Sequence, residues 1–293
     1  MDAMTEPSRP RPERADTPQL AAFRRLKVVQ PDLATAVDMQ VELVVLQHRV
    51  QSRVSTPWLD FNADWLAQRL GGGVPILSFE EVPFDFGELR VMFRQVTDVL
   101  RRYDVLEPGD YETLQAIIRR GRPESADASA WYDAAAVRPR RPQEATPATP
   151  ATPEAFSQVL TVSARPFLGR AVESLQSRVD LAPWTRPYCP YCGGDPELAV
   201  ITPSGDRRLA CGRCAGVWPF DEHACPHCDD RQPSRRTTLA TADRRYQVIA
   251  CDVCKRYVKT YDARGADRPF MLDVDTIATL PLDAAAMQRG YQA

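Results

Sequence analysis

Four Cys-x-x-Cys pairs, at 189/192, 211/214, 225/228 and 251/254, hold all eight cysteines of the chain. Two residues between thiolates let a tight turn present both sulfurs to one ion. Two such turns complete a tetrahedral four-sulfur set suited to Zn²⁺ or to a rubredoxin-type iron. Successive pairs are separated by 18, 10 and 22 residues; the ~15–20 residues that part the halves of a zinc ribbon bracket the 18 and sit just below the 22. The region is also a duplication: the first and third pairs are offset by 36 residues, the second and fourth by 40. Each copy reads Cys-Pro-x-Cys, then Asp-Arg-Arg (206–208 and 243–245), then Ala-Cys-x-x-Cys. Because each unit repeats whole, the ligands pair sequentially. Cys189, Cys192, Cys211 and Cys214 make set 1; Cys225, Cys228, Cys251 and Cys254 make set 2. A cross-braced arrangement, first pair with third, stays open.

Redox dithiols are expected singly and beside a βαβ pattern, which is missing here, so the pairs read as metal ligands. A closed four-sulfur shell leaves no position for water, which argues against hydrolytic metal catalysis. His223 and His227 flank the third pair, but four Cys already fill each shell, so both are expected outside it. Four thiolates on a divalent ion carry a net −2, and Arg213 and Lys255 beside the turns are placed to offset it. Val217-Trp218 and Tyr257-Val258, at matching positions after the second pair of each copy, read as strand residues covering each site.

Upstream the period changes to that of helices. Apolar positions recur helically from Leu33 to Val50, and Asn62 to Leu70 is a short helix closed by Gly71-Gly72-Gly73. Those glycines lack the Lys-Ser/Thr of a phosphate loop. Phe86 to Tyr103 follows the 3.6 period closely, with Asp85 as N-cap. Tyr111, Leu114, Ile117 and Ile118 mark another helix. Helical pattern returns at Phe156–Ala164 and again at Phe167–Leu175, where Pro166 is placed to open a second helix. Residues 1–18 read as a disordered leader. Residues 122–153 carry six prolines and end in three copies of Ala-Thr-Pro, which reads as a Pro-rich linker or insertion.

These patterns predict an α+β multidomain chain: an all-α helical domain (19–121 and 154–182), then two rubredoxin-like or zinc-ribbon modules (183–222, and 223–293 with the C-terminal tail). The apolar stripes of the helical domain suggest that it folds on its own. No apolar run approaches the ~20 residues of a bilayer-crossing helix, and the polar, Pro-rich start lacks the apolar core of a secretory signal. A cytoplasmic location, where thiols stay reduced, is expected. The net charge is −2, and residues 186–293 hold 15 Lys and Arg against 14 Asp and Glu. A nucleic-acid module needs a marked basic excess, so no nucleic-acid partner is expected.

Several segments together resemble the FdhE family of bacterial formate dehydrogenase accessory proteins. They are Trp184-Thr-Arg-Pro-Tyr-Cys-Pro-Tyr-Cys-Gly-Gly, Ala250-Cys-Asp-Val-Cys-Lys-Arg-Tyr-Val-Lys-Thr-Tyr-Asp, and the tail Asp275-Thr-Ile-Ala-Thr-Leu-Pro-Leu-Asp with Arg289-Gly-Tyr. Gly73-Val-Pro-Ile-Leu, the Phe86–Tyr103 helix and Arg165-Pro-Phe-Leu fit as well. The resemblance runs from about residue 20 to the end, excluding 122–153. It implies a non-enzymatic, cytoplasmic accessory protein that binds the catalytic subunit of a Tat-exported formate dehydrogenase during its maturation. It also implies iron, where four-sulfur ligation alone allows iron or zinc. Asp229 departs from the family pattern, which has Gly there, so a less regular turn is expected in set 2. The competing readings are a zinc-ribbon nucleic-acid binder and a rubredoxin-like electron-transfer protein.

Overall fold

The computed structural model describes residues 17–57, 59, 61–136 and 154–293. Among these it contains nine α-helices and one six-stranded sheet, the helices-then-ribbons architecture that the sequence predicts.

The helical half comprises α1 (Pro18–Val29), α2 (Ala34–Gln51), α3 (Ala63–Gly71), α4 (Phe86–Arg102), α5 (Pro108–Arg119), α6 (Ser125–Ala136) and α7 (Glu154–Gln176). α2, α4 and α7 pack on one another around Leu43, Leu89, Phe93, Val96, Phe156, Leu160 and Phe167. α4 starts where Asp85 takes the free backbone N–H groups of Gly87 and Glu88 at 2.8 and 3.0 Å, and Asn62 caps α3 in the same way. The triple glycine is a Schellman C-cap. Gly73 sits at φ +74°, its N–H bonds Leu70 O, and Val74 N bonds Arg69 O.

Three sequence expectations need correction. α1 opens at Pro18, within the stretch read as a leader; residues 1–16 lie outside the described residues. Part of the 122–153 stretch is helical: Ser125–Ala136 contains no proline and forms α6, anchored by buried Trp131 and Tyr132. Its Ala-Thr-Pro copies lie outside the described residues. Third, Pro166 does not open a new helix but lies inside the 23-residue α7. Proline removes the N–H that Val162 O, four residues back, would accept. Gln47 of α2, itself buried, donates its side-chain Nε2–H to that carbonyl at 3.1 Å. The helix continues because a neighbour supplies the missing donor.

Gln47→Leu is therefore expected to orphan the carbonyl and cost about 1–3 kcal/mol. The same change in a Pro166→Ala background should cost much less, because the restored backbone N–H serves Val162 O. Denaturant titration of the four-member cycle tests this, and equal costs in both backgrounds would refute it.

The C-terminal half builds β1 (Pro196–Ile201), β2 (Arg207–Cys211), β3 (Val217–Pro219), β4 (Arg236–Ala240), β5 (Tyr246–Cys251) and β6 (Tyr257–Asp262), then α8 (Leu272–Ala278) and α9 (Leu280–Gln288). The strand order is β3-β2-β1-β6-β5-β4. Each module contributes three antiparallel strands. The two triplets join through a parallel β1–β6 pair, with Ala199 opposite Thr260 and Val200 opposite Tyr261. The modules thus share one sheet. All six residues of β6 are buried, because β6 is central and α9 packs across β4, β5 and β6.

Candidate metal centres

All four Cys-x-x-Cys pairs fold into the same knuckle. The first Cys N–H bonds the carbonyl five residues on (Gly194, Gly216, Asp230 and Arg256). Its own carbonyl accepts the N–H four residues on. That fourth residue is left-handed in every copy: Gly193 at φ +72°, Ala215 at +58°, Asp229 at +60° and Lys255 at +59°. Asp229 therefore does not loosen set 2. Asp tolerates the left-handed region at modest cost, and its knuckle bonds are 2.9 Å like the others. The closest approaches fall to Gly194 and Gly216. A Cβ on Gly194 would come within 2.8 Å of Cys211 Sγ, and one on Gly216 within 2.6 Å of the Tyr191 ring.

The knuckles bring the cysteines together as the two sequential groups, rather than first pair with third. Cys189, Cys192, Cys211 and Cys214 form one cluster and Cys225, Cys228, Cys251 and Cys254 the other, with the sulfurs of each within 4.8 Å of one another. Cys189–Cys214 and Cys192–Cys211 are 3.5 and 3.6 Å apart, and Cys225–Cys254 and Cys228–Cys251 are 3.8 and 3.6 Å. A regular tetrahedron with metal–sulfur bonds of 2.3 Å has edges of about 3.8 Å. A disulfide needs about 2.05 Å, and all eight thiols are free. Each set can hold one soft divalent ion.

Set 1 is sealed. Its four cysteines are at most 2% exposed, and they share one buried core with Tyr191, Trp218 and residues of α4 and α7. The segment after the α3 cap clasps the first knuckle: Ile76 N and Leu77 N bond Pro190 O and Tyr191 O at 2.8 and 2.9 Å. Backbone N–H groups of Arg213 and Gly216 aim at Cys211 and Cys214 Sγ, at 3.3 and 3.4 Å. Burial pushes the Cys189 and Cys214 thiols well up. Burial would raise Cys211 too, but hydrogen bonds from the three neighbouring thiols bring it well below the ordinary range. Four ionised sulfurs in so dry a pocket need a cation.

The flanking cations are arranged differently from expectation. The Arg213 guanidinium stacks on Trp131, 3.7 Å from the ring centroid, and donates to the carbonyls of Trp131 and Tyr132. It thus ties α6 to set 1. Lys255 turns outward to Asp252 at 3.5 Å. His223 is exposed, and His227 bonds Tyr257 O at 3.1 Å; neither belongs to a sulfur set.

Set 2 is open. Cys225 and Cys251 are buried, but Cys254 is half-buried and Cys228 exposed. Cys225, Cys228 and Cys254 line a cleft of about 2450 Å³ together with Val179 to Ala182 and Trp184 to Tyr188 after α7. Behind set 2, buried Arg207 donates to the carbonyls of Asp221, Glu222 and Ala224. Burial and the neighbouring Arg236 pull its guanidinium down to about 10. Arg236 and Arg245 likewise turn onto backbone carbonyls. One arginine of each Arg-Arg pair in the modules (207–208, 235–236 and 244–245) is thus tied to the main chain.

No family model matches this sequence. Among curated proteins it is similar to the "Protein FdhE homolog" of Aquifex aeolicus (strain VF5), at 27% identity over 113 residues. That match spans 37% of this chain and 40% of the relative, so it covers well under half of either. The fold matches the crystal structure of the FdhE protein from Pseudomonas aeruginosa with a TM-score of 0.60. At 20% identity, the alignment covers 93% of this chain and 90% of that one. The chain shares its fold with that FdhE structure, and a little over a third of its sequence is similar to the FdhE homolog. The segments that carry the resemblance are those the geometry uses: Gly73–Leu77 clasps the first knuckle, and Arg165 of α7 bonds Gly212 O in the second. The sequence did not reveal Trp131 and Tyr132, which lie outside the cysteine turns and carry no spacing signal, and the repeated Asp-Arg-Arg gave no sign that Arg207 is buried against main-chain carbonyls.

Proposed function

We propose that this chain is an accessory protein in formate dehydrogenase maturation. It binds the catalytic subunit in the cytoplasm before Tat export, with no turnover of its own and with one metal ion in each four-cysteine set. Cys189, Cys192, Cys211 and Cys214 ligate the first ion; Cys225, Cys228, Cys251 and Cys254 ligate the second. Iron is favoured by the FdhE likeness, and zinc satisfies the same donors. The helical portion and the two ribbon modules are proposed as the working units.

The observation that carries this reading is the FdhE-like fold over 93% of the chain, together with two complete four-sulfur sets. Closed shells supply binding and shape rather than an open coordination position. Among the described residues no helix is long and apolar enough to cross a membrane, which is compatible with a cytoplasmic site of action. The test is affinity isolation from the native host with identification of the bound chains, alongside formate dehydrogenase activity in a strain lacking this gene. Recovery of a formate dehydrogenase catalytic subunit and loss of activity are expected. Recovery of only RNA polymerase or ribosomal components, with activity intact, would refute the reading.

A further inference from the structure

The two sulfur sets share knuckle geometry and differ in access. Set 1 has every sulfur buried in one core with Tyr191 and Trp218, and its first knuckle is held by the Ile76–Leu77 clasp. Set 2 shows Cys228 and Cys254 to solvent, although backbone bonds from Asp252 N to Arg235 O and from Gln292 N to Lys255 O tie its second knuckle at 2.9 and 2.8 Å. Val253, between Cys251 and Cys254, is itself 50% exposed. The exposed sulfurs face the large cleft, with Arg231 and Arg256 also on its lining. A ligand entering there meets an ion bound at set 2 with no protein to displace. To reach set 1 it must first open the core.

Resting on the reading that each set holds an ion, we propose that set 2 is an exchange site, which passes its ion to and from thiol ligands entering through the cleft, with Cys228 the sulfur that gives way. The step is a substitution at the metal. The entering thiolate forms a metal–sulfur bond, the Cys228 Sγ–metal bond breaks, and Cys228 takes a proton from water. Four thiolates remain on the ion and no electron is transferred. Cys225 and Cys251, both buried, hold the ion while the exposed arm is replaced. Set 1 keeps its ion for as long as the core is folded.

The test uses the full chain reconstituted with zinc, a chromophoric chelator in excess and 2-mercaptoethanol as the entering thiol. One equivalent should leave more than about tenfold faster than the other, a difference that burial behind a folded core readily imposes on the barrier. The fast phase should accelerate with thiol concentration and the slow phase should not. Alkylation during the fast phase, mapped by peptide mass spectrometry, should mark Cys225, Cys228, Cys251 and Cys254 and spare Cys189, Cys192, Cys211 and Cys214. Cys228→Ser should lose the fast equivalent and keep the slow one; the wild-type alkylation map decides the matter should that variant misfold. Release of both ions in one phase, or early alkylation of the 189–214 cysteines, would overturn the exchange site while leaving the metal reading intact. Failure of the 225–254 set to take up zinc at all would overturn both.

Discussion

Cys189→Ser combined with Cys192→Ser should release one metal ion per chain and lower the melting transition of the helices as well as of the sheet. The sequence suggested otherwise, because α2, α4 and α7 carry apolar stripes sufficient for a core of their own. In the folded chain, however, the set 1 cysteines, Tyr191 and Trp218 belong to one continuous cluster with Leu89, Phe93, Phe167 and Leu168. Ion binding at a structural four-ligand site is worth about 10–16 kcal/mol of folding free energy, comparable with the whole stability of a typical domain. Even a fraction of that loss should lower the midpoint by more than about 10 °C, at about 2–4 °C per kcal/mol for a large domain. Cys225→Ser with Cys228→Ser should also release one ion. Its effect on the helices should be far smaller, since set 2 lies at the surface on the cleft and outside that cluster. Metal analysis and far-UV circular dichroism melts of the two double variants test this together. A helical transition unchanged by the set 1 variant would refute the shared core. Loss of both ions from either variant would show that the sets depend on each other.

The grouping of the cysteines into two sequential sets was legible because duplication preserves whole units, and each unit folds its own two knuckles. The helix cap at Asp85 was legible because a cap is made by residues two or three apart. What escaped depends on contacts far along the chain. Pro166 reads as a helix start until Gln47, more than a hundred residues away, donates to Val162 O. α6 was hidden by its proline-rich neighbours, although its own twelve residues contain none. It is anchored partly by Arg213, which stacks on Trp131. The parallel β1–β6 pair that fuses the modules joins strands about sixty residues apart. The family pattern has Gly where Asp229 stands, yet Ala215 and Lys255 take the same left-handed position in other knuckles without glycine. The exposure that separates set 2 from set 1 had no sequence signal, because the cysteine spacing is nearly the same in both.

Asp275→Ala should be among the most destabilising single changes outside the cysteines. Asp275 begins the tail segment that carries part of the FdhE resemblance, and no pattern in the sequence says why a carboxylate should stand there. In the structure it is 0% exposed. Its Oδ1 accepts from Tyr246 Oη at 2.8 Å and from Arg268 Nη2, and its Oδ2 accepts from Met271 N at 2.7 Å and from Arg268 Nη1 at 3.3 Å. One carboxylate thus starts α8, holds the buried Tyr246 hydroxyl of β5 and pairs with the Arg268 guanidinium. Burial and then the Asp275 charge push the Tyr246 phenol up, so it stays a neutral donor. Removing the anion from such a cluster leaves a guanidinium and a hydroxyl without their acceptor, at a cost of about 3–5 kcal/mol. Asp275→Asn keeps the shape and one acceptor oxygen and should cost less, although it breaks the ion pair. Tyr246 opens the strand that ends at Cys251, so the loss should also appear as faster zinc release from set 2 than in wild type, with set 1 unaffected. Denaturant titration supplies the first measurement and the chelator assay the second. An Asp275→Ala variant within about 1 kcal/mol of wild type would show that water or the neighbouring carbonyls replace the carboxylate, and that the tail is not what holds the second module in place.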